Sequence, residues 1–161
     1  MKIDSEERTI LSELTQDASV RRKLIAYKVG VSEPTLSKKI ATLQDEGYIK
    51  KFTIEVDYSK LGYPINAVTV VRLGDQAGGL VDRAIEVLVS LPQTIEVATM
   101  VGEWDIYVRW MCSDNAEMIS AVRKLLAEFP GSRTETFTLA EFFKCQRGVE
   151  LIAKGEQKER G

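Results

Sequence analysis

Basic side chains are concentrated in one stretch near the N-terminus of this 161-residue chain. Between Arg21 and Lys51 there are eight basic and three acidic residues, a local charge of +5, whereas residues 63–161 carry 11 basic and 14 acidic residues, a charge of −3. A basic module beside an acidic body indicates an anionic partner, such as DNA, that docks at one end of the molecule. A basic surface that only meets solvent is the alternative that charge alone leaves open.

Three groups of side chains in this stretch have the chemistry of DNA contacts. Lysine and arginine bind phosphate oxygens, while polar side chains on a helix in the major groove reach base edges. The candidates are Arg21, Arg22 and Lys23 at the start of one predicted helix, Ser32, Glu33, Thr35, Ser37, Lys38, Lys39 and Thr42 on the next, and Lys50 and Lys51 after it. The first residues of the later helix are expected to contact bases.

The residue types that are missing exclude several classes of chemistry. The chain has no histidine, which rules out His-based acid–base catalysis, Ser–His or Cys–His nucleophile pairs, and metal sites that need imidazole. Its two cysteines, Cys112 and Cys145, lie far apart and are expected to be buried free thiols. We expect no cofactor and no metal. With no signal-peptide pattern and no apolar run near the roughly 20 residues of a membrane span, a soluble cytoplasmic protein is expected.

Capping and turn residues predict three short helices, at residues 5–14, 22–29 and 33–46, which must position the basic side chains. Gly30 is placed to end the second helix in a left-handed conformation, and Ser32 to cap the third. The inner face of the third helix is expected to consist of Leu36, Ile40 and Leu43. Two helices joined by so tight a turn form a helix-turn-helix, whose later helix enters the major groove.

A strand is predicted directly after the third helix. In residues 49–56, Phe52, Ile54 and Val56 alternate with polar residues, which is the period of a half-exposed strand. Such a strand would be the wing of a winged helix-turn-helix, from which Lys50 and Lys51 contact phosphates.

The second half of the chain predicts alternating strands and helices. Strands are expected at 65–73, 94–101, 104–112 and 133–142, and helices at 78–91 and 115–128. The order βαββαβ is that of a ferredoxin-like domain. The fold class is therefore α+β: a winged helix-turn-helix (1–49), a wing strand and linker (50–63), a ferredoxin-like domain (64–150) and a charged tail (151–161).

Several of these segments resemble the Lrp/AsnC (feast/famine) family of transcription regulators. The resemblance is carried by Val29-Gly30-Val31-Ser32 and Gly47-Tyr48-Ile49 in the first half, and by Gly102-Glu103-Trp104-Asp105 and Thr134-Glu135-Thr136 in the second. It covers residues 3–150 in family order. It implies that the C-terminal domain dimerises, assembles into higher oligomers and senses an amino acid or a similar small molecule.

The resemblance places the effector site at the turn of Gly102, Glu103, Trp104 and Asp105, together with Thr134 and Thr136. Asp105 and the turn carbonyls can accept from an α-ammonium group, while turn amides and threonine hydroxyls can donate to a carboxylate. Gly102 is expected to adopt a positive φ or to allow a close backbone approach. Glu103 would disfavour an acidic ligand if it faces the pocket. An ordinary hairpin between two strands is the alternative interpretation.

We interpret the chain as a sequence-specific, DNA-binding transcriptional regulator, not an enzyme, whose assembly or DNA binding responds to an amino acid or similar effector. Its expected partners are double-stranded DNA, the effector and further copies of itself, but no membrane. An effector-independent DNA-organising protein is one alternative, recognisable by salt-dependent binding without sequence preference. A tetrapyrrole decarboxylase of the same architecture is disfavoured by the lack of histidine.

Overall fold

The computed structural model of the chain describes residues 3–74, 77–141 and 148–154. In chain order its elements are α1 (Ser5–Gln16), α2 (Arg22–Val29), α3 (Glu33–Asp45), β1 (Ile65–Arg72), α4 (Ala77–Ser90), β2 (Thr94–Thr99), β3 (Ile106–Cys112), α5 (Asn115–Glu128), β4 (Arg133–Thr138) and α6 (Val149–Lys154). They form two compact units: residues 3–55 with 148–154, and residues 56–141. No helix in the described ranges is long and apolar enough to cross a membrane.

The helices of the first unit begin and end at residues that satisfy their free backbone groups. Asp4 accepts from the backbone N–H of Glu7 at 2.7 Å, and the Glu7 carboxylate accepts from the N–H of Asp4 at 2.9 Å, which confirms the capping box. Gly30 ends α2 with a φ of 78°, and Ser32 caps α3 through the N–H of Thr35 at 3.3 Å. These local signals explain why the first three helices were predicted nearly to the residue.

The core of the first unit lies between these three helices. Its buried side chains are Ile10, Ile25, Ala26, Leu36, Ile40 and Leu43. The inner face predicted for α3 is therefore confirmed, and the opposite face of that helix is left to solvent. The short helix α6 lies against α1, where Arg8 Nη1 donates to the carbonyl of Ile152 at 3.4 Å.

The strand predicted at residues 49–56 is wrong, because the structure has no strand pairing there. The period-2 alternation of the sequence remains, but Phe52 is 43% and Ile54 81% exposed. A strand needs a neighbour whose N–H and C=O groups complete its ladder, and no described segment of the chain supplies one at this place. Lys50 and Lys51 are therefore exposed residues of an irregular segment and not of a wing strand.

The second unit is a four-stranded antiparallel sheet with α4 and α5 on one side. The strand order is β2-β3-β1-β4, as the βαββαβ prediction requires. β1 pairs with β3 from Ile65↔Cys112 to Val71↔Ile106, and with β4 from Ala67↔Thr138 to Arg72↔Arg133. The strands are shorter than predicted at the turn between β2 and β3, which spans residues 100–105.

The two faces of this sheet differ in what covers them. On the helix side, alternate residues of β1 and β3 are buried against Ala84, Leu88, Ala121 and Leu125. Trp110 is fully buried there, and its indole N–H donates to Thr69 Oγ1 at 2.8 Å. The side chains that point the other way make up what we call the open face: Asn66, Val68, Val70, Arg72, Glu96, Ala98, Tyr107, Arg109, Met111, Arg133, Glu135 and Phe137.

Cys112 also lies on the helix side and is a buried free thiol, as predicted. Burial raises the pKa of this thiol to about 11, so it is protonated at neutral pH. Cys145 lies outside the described residues.

Candidate nucleic-acid interface and ligand turn

The outer face of α3 presents a group of polar side chains to solvent. Glu33, Thr35, Ser37 and Lys38 are exposed, opposite the buried stripe that holds the helix in place. The structure thus brings most of the predicted base-reading residues onto one surface of the first two turns. Such a helix end is the part that contacts base edges in helix-turn-helix proteins.

Three of the hydroxyl groups predicted for this surface, those of Ser32, Thr35 and Thr42, have partners in α3 or at its N-cap. The Ser32 hydroxyl lies 2.8 Å from the Thr35 hydroxyl and also caps the helix. Thr42 is half-buried, and its hydroxyl donates to the carbonyl of Lys38 at 3.1 Å. Ser32 and Thr42 therefore shape the helix, while Thr35, Ser37 and Lys38 carry the exposed polar surface.

Lys39 occupies a different position from the one predicted. Its ammonium group lies 3.0 Å from Asp4 Oδ2 and 3.0 Å from Glu6 Oε2, and its side chain is 21% exposed. The hydrogen bonds to Asp4 and Glu6 raise the pKa of Lys39. Lys39 thus fixes α3 to the N-terminus of α1 and does not project from the outer face.

A second basic surface lies at the start of α2. Arg21, Arg22 and Lys23 are all exposed, the helix has no side-chain cap, and its first turn holds no acidic residue. Positive charges beside the positive end of a helix dipole are unfavourable unless an anion neutralises them. Backbone N–H groups at such an end are well placed to bind a phosphate. This arrangement favours a DNA backbone contact.

The turn between β2 and β3 has the conformation that its glycine predicts. Gly102 has a φ of 139°, which favours glycine, so the expected positive φ is confirmed. A Cβ at this position would meet no other atom within 4 Å, so the backbone conformation and not a lack of space favours glycine here. The neighbouring Val101 is fully exposed and Trp104 is half-buried.

Asp105 ties this turn to the end of β1. Its Oδ2 accepts from the backbone N–H of Leu73 at 2.7 Å, and its own N–H donates to the carbonyl of Val71 at 2.9 Å. Its carbonyl accepts from the N–H of Met100 at 2.8 Å. One carboxylate oxygen therefore has a structural partner, which sequence reasoning did not anticipate because the pairing depends on the three-dimensional fold.

The two threonines predicted for the site lie on the helix side of β4. Thr134 pairs with Val71 and so stands beside the strand end that Asp105 contacts. Thr136 pairs with Thr69 instead, and the two hydroxyl oxygens lie 2.8 Å apart. The structure thus brings Thr134 to the same end of the sheet as Asp105, while the Thr136 hydroxyl belongs to the network around Trp110.

Two arginines near the turn were missed by the sequence analysis. Arg72 lies directly opposite Arg133 across β1 and β4, and Arg72 Nη1 is 3.9 Å from Glu103 Oε1. Arg72 thus offsets part of the negative charge of Glu103, and the effect of Glu103 on the choice of ligand stays a prediction. Only the strand register reveals this cluster, so the sequence alone held no signal for it.

Comparison with known proteins supports the DNA-binding interpretation of the first unit. Residues 6–50 match the winged helix-turn-helix DNA-binding family. An HTH-type transcriptional regulator of Pyrococcus furiosus is 32% identical over 145 residues, which cover 89% of this chain and 95% of the relative.

Solved structures share the fold over about nine tenths of the chain. Escherichia coli AsnC matches with a TM-score of 0.78 at 22% identity, covering 91% of this chain and 97% of AsnC. The regulator NMB0573 of Neisseria meningitidis, solved as an L-Met complex, matches with a TM-score of 0.79 at 15% identity, covering 90% of this chain and 94% of that protein.

Proposed function

Because the chain belongs to the Lrp/AsnC family of HTH-type transcriptional regulators, we propose that it binds specific DNA sequences as a dimer and that an amino acid or similar small molecule alters its assembly or DNA affinity. The observation that carries the proposal is the polar outer face of α3, which stands opposite a buried stripe, in the same unit as the exposed basic start of α2.

The outer face of α3 and the basic start of α2 would contact different parts of the DNA. Thr35, Ser37 and Lys38 are short or flexible polar side chains on a fixed helix, which suits hydrogen bonding to base edges. Arg21, Arg22 and Lys23 supply charge that fixes the orientation on the phosphate backbone. Lys39 supports this arrangement indirectly, because it ties α3 to α1.

A second copy of the chain is the occupant that we propose for the open face. The face holds the apolar Val68 and Val70 on a central strand and Phe137, which is 53% exposed, on an edge strand. It also carries charges of both signs, such as Arg109 and Glu135. A two-fold interface must be self-complementary, and a face with both signs of charge meets that condition. Dimerisation would present two α3 helices to half-sites about 34–36 Å apart.

The effector would bind at the turn of residues 102–105, beside Thr134. The Neisseria relative was solved with L-methionine, which supports an amino acid as the class of ligand. Asp105 keeps one carboxylate oxygen for an ammonium group beyond its bond to Leu73, and the Thr134 hydroxyl at the same end of the sheet can donate to a carboxylate. An effector that binds one assembly better than another shifts DNA binding by that difference in affinity.

The proposal is tested by selecting bound fragments from random DNA, with and without each amino acid. We expect a shared motif with two related half-sites for the wild type, and loss of its preference at one or more base pairs for T35A/K38A, which removes a hydroxyl and a charge from α3. The control T99A/K124A makes the same two changes at exposed positions of the second unit. Salt-dependent binding with no recovered motif would instead indicate a DNA-organising protein.

A further inference from the structure

Four polar side chains on the open face form one network. Arg109 Nε donates to Asn66 Oδ1 at 3.1 Å, and Arg109 Nη1 lies 3.7 Å from Glu96 Oε1. The Tyr107 hydroxyl donates to Glu96 Oε2 at 3.4 Å. The four residues come from β1, β2 and β3, so the network depends on the folded sheet and is one feature of its surface.

The network stands beside apolar side chains in the same layer. The strand register places Glu96, Arg109, Val68 and Phe137 in one row across all four strands. Arg109 lies on β3, one of the two central strands, and its side chain is 24% exposed. A full positive charge therefore sits near the middle of the surface, with an acid on one side and apolar groups on the other.

Stability of the isolated chain does not account for this placement. Ion pairs near solvent contribute little to folding, and charged residues are depleted from the centres of interfaces because desolvation costs more than one contact returns. Charges that remain at such a centre act on the choice of partner, because a partner that fails to match them leaves them buried and unsatisfied.

Packing of two open faces would bring the two networks into contact range. Sheets packed face to face lie about 10 Å apart, with side chains from both faces interdigitating. Arginine, glutamate and tyrosine side chains are long enough to reach the middle of that layer. Under two-fold symmetry, each network meets the same face of an identical chain.

We propose that the network of Asn66, Glu96, Tyr107 and Arg109 makes the dimer select an identical copy over a chain with different charges on this face. The inference rests on the proposed dimerisation through the open face. The guanidinium of one copy is matched by acidic and hydroxyl groups of the other, and the reverse holds for the second copy. A chain without these groups leaves the network desolvated and unmatched.

Subunit mixing of the full chain tests the inference. E96R/R109E reverses both charges, which retains an opposite pair within each copy and within its own homodimer. The variant has the same composition and mass as wild type, so the wild-type chain is labelled with ¹⁵N. After exchange of equal amounts, native mass spectrometry counts the heterodimers, which random exchange sets at half. We expect heterodimers to fall to about a tenth, because like charges then meet across the interface. If E96R/R109E does not fold, the uncharged E96Q/R109M replaces it. A smaller depletion below the random half is then expected, because the wild-type charges lose their partners across the interface but meet no like charge.

The matched control is R83E/E128R, which reverses an exposed ion pair of 3.4 Å on the helix side of the sheet. Its heterodimers with wild type should reach the random half. Random mixing of E96R/R109E and of E96Q/R109M with wild type would overturn the inference while leaving the dimer in place. F137E tests dimerisation through the open face separately from the selectivity of the network. If F137E dimerises as tightly as wild type, the open face is not the interface, and the proposed packing fails as well.

Discussion

Asp4 has two roles in the first unit, as the cap of α1 and as a partner of Lys39 on α3. Burial raises the pKa of Asp4, but hydrogen bonds from the Glu7 backbone and from Lys39 outweigh it, so the net pKa is lowered. A carboxyl group with a lowered pKa stabilises the folded state above its unfolded pKa and loses this contribution as the pH falls through the folded value. The attachment of α3 therefore weakens in acid.

Substitutions at Asp4 separate these two roles. D4A removes both the cap and the ion pair, and we expect it to lower the free energy of unfolding by about 1 kcal/mol, mostly through the cap because solvent screens the exposed ion pair. D4N retains a capping oxygen and should lose only the small ionic part. Urea unfolding at several pH values measures this. The difference between wild type and D4N should be full above the unfolded pKa of Asp4 and should disappear as the pH falls through its lowered folded pKa. A difference that does not change with pH would contradict the ionic role.

Asp105 likewise combines a structural bond with a proposed ligand contact. D105A leaves the N–H of Leu73 without its partner, and we expect a loss of about 1–3 kcal/mol in the stability of the second unit. D105N retains an acceptor oxygen for that N–H but loses the charge that an ammonium group needs. We expect D105N to fold and bind DNA like wild type while calorimetry against the twenty amino acids shows no effector binding. Wild-type effector binding by D105N would place the site elsewhere.

At the scale of elements, predictability follows from where each element finds its partners. The caps of α1 and α3 lie within a few residues of the groups that they satisfy, so the sequence shows them directly. The segment 49–56 has the period of a strand but no described neighbour to pair with, and periodicity does not reveal whether a neighbour exists. The six-residue helix α6 is too short for a periodic signal, and its packing against α1 depends on the tertiary fold.

The candidate site also has features that the sequence predicts and features that depend on the three-dimensional fold. The outer face of α3 was predictable because one buried stripe fixes the opposite side of a helix. The position of Lys39 was not, because its partners Asp4 and Glu6 lie on another helix. The cluster of Arg72 and Glu103 was hidden for the same reason, since it requires the strand register.

The start of α2 and the segment after α3 make distinct predictions about salt. Each phosphate contact contributes about 0.9 to the slope of log affinity against log salt concentration. We expect R21Q/R22Q/K23Q to reduce the magnitude of this negative slope by about 2 to 3, because up to three phosphate contacts are lost. K50Q/K51Q should reduce the magnitude of the slope by about 2, because the two lysines of the irregular segment are expected to contact DNA phosphates. K60Q serves as a control at an exposed lysine of the second unit. An unchanged slope in the triple variant would show that the start of α2 does not contact DNA.

At the scale of the whole molecule, the chain has two separate cores and therefore two units that can be tested apart. The second unit has its own buried cluster around Trp110, Leu88 and Leu125, so it does not require the first for its core. Assembly should therefore be a property of the second unit and DNA reading a property of the first. Under the proposed function, the full protein gains affinity by joining two DNA-reading units in one dimer.

Separation of the units tests this division. We expect the fragment 56–143 to fold and to be a dimer or larger by light scattering at tens of micromolar, because it retains the open face. The fragment 1–55 should bind the same DNA site about 10²–10⁴-fold more weakly, because two linked half-site contacts act at high effective concentration. Fusion of that fragment to a dimeric coiled coil should restore most of the affinity, which separates lost dimerisation from lost folding. A monomeric second fragment, or full affinity in the first, would show that assembly depends on the DNA-reading unit instead.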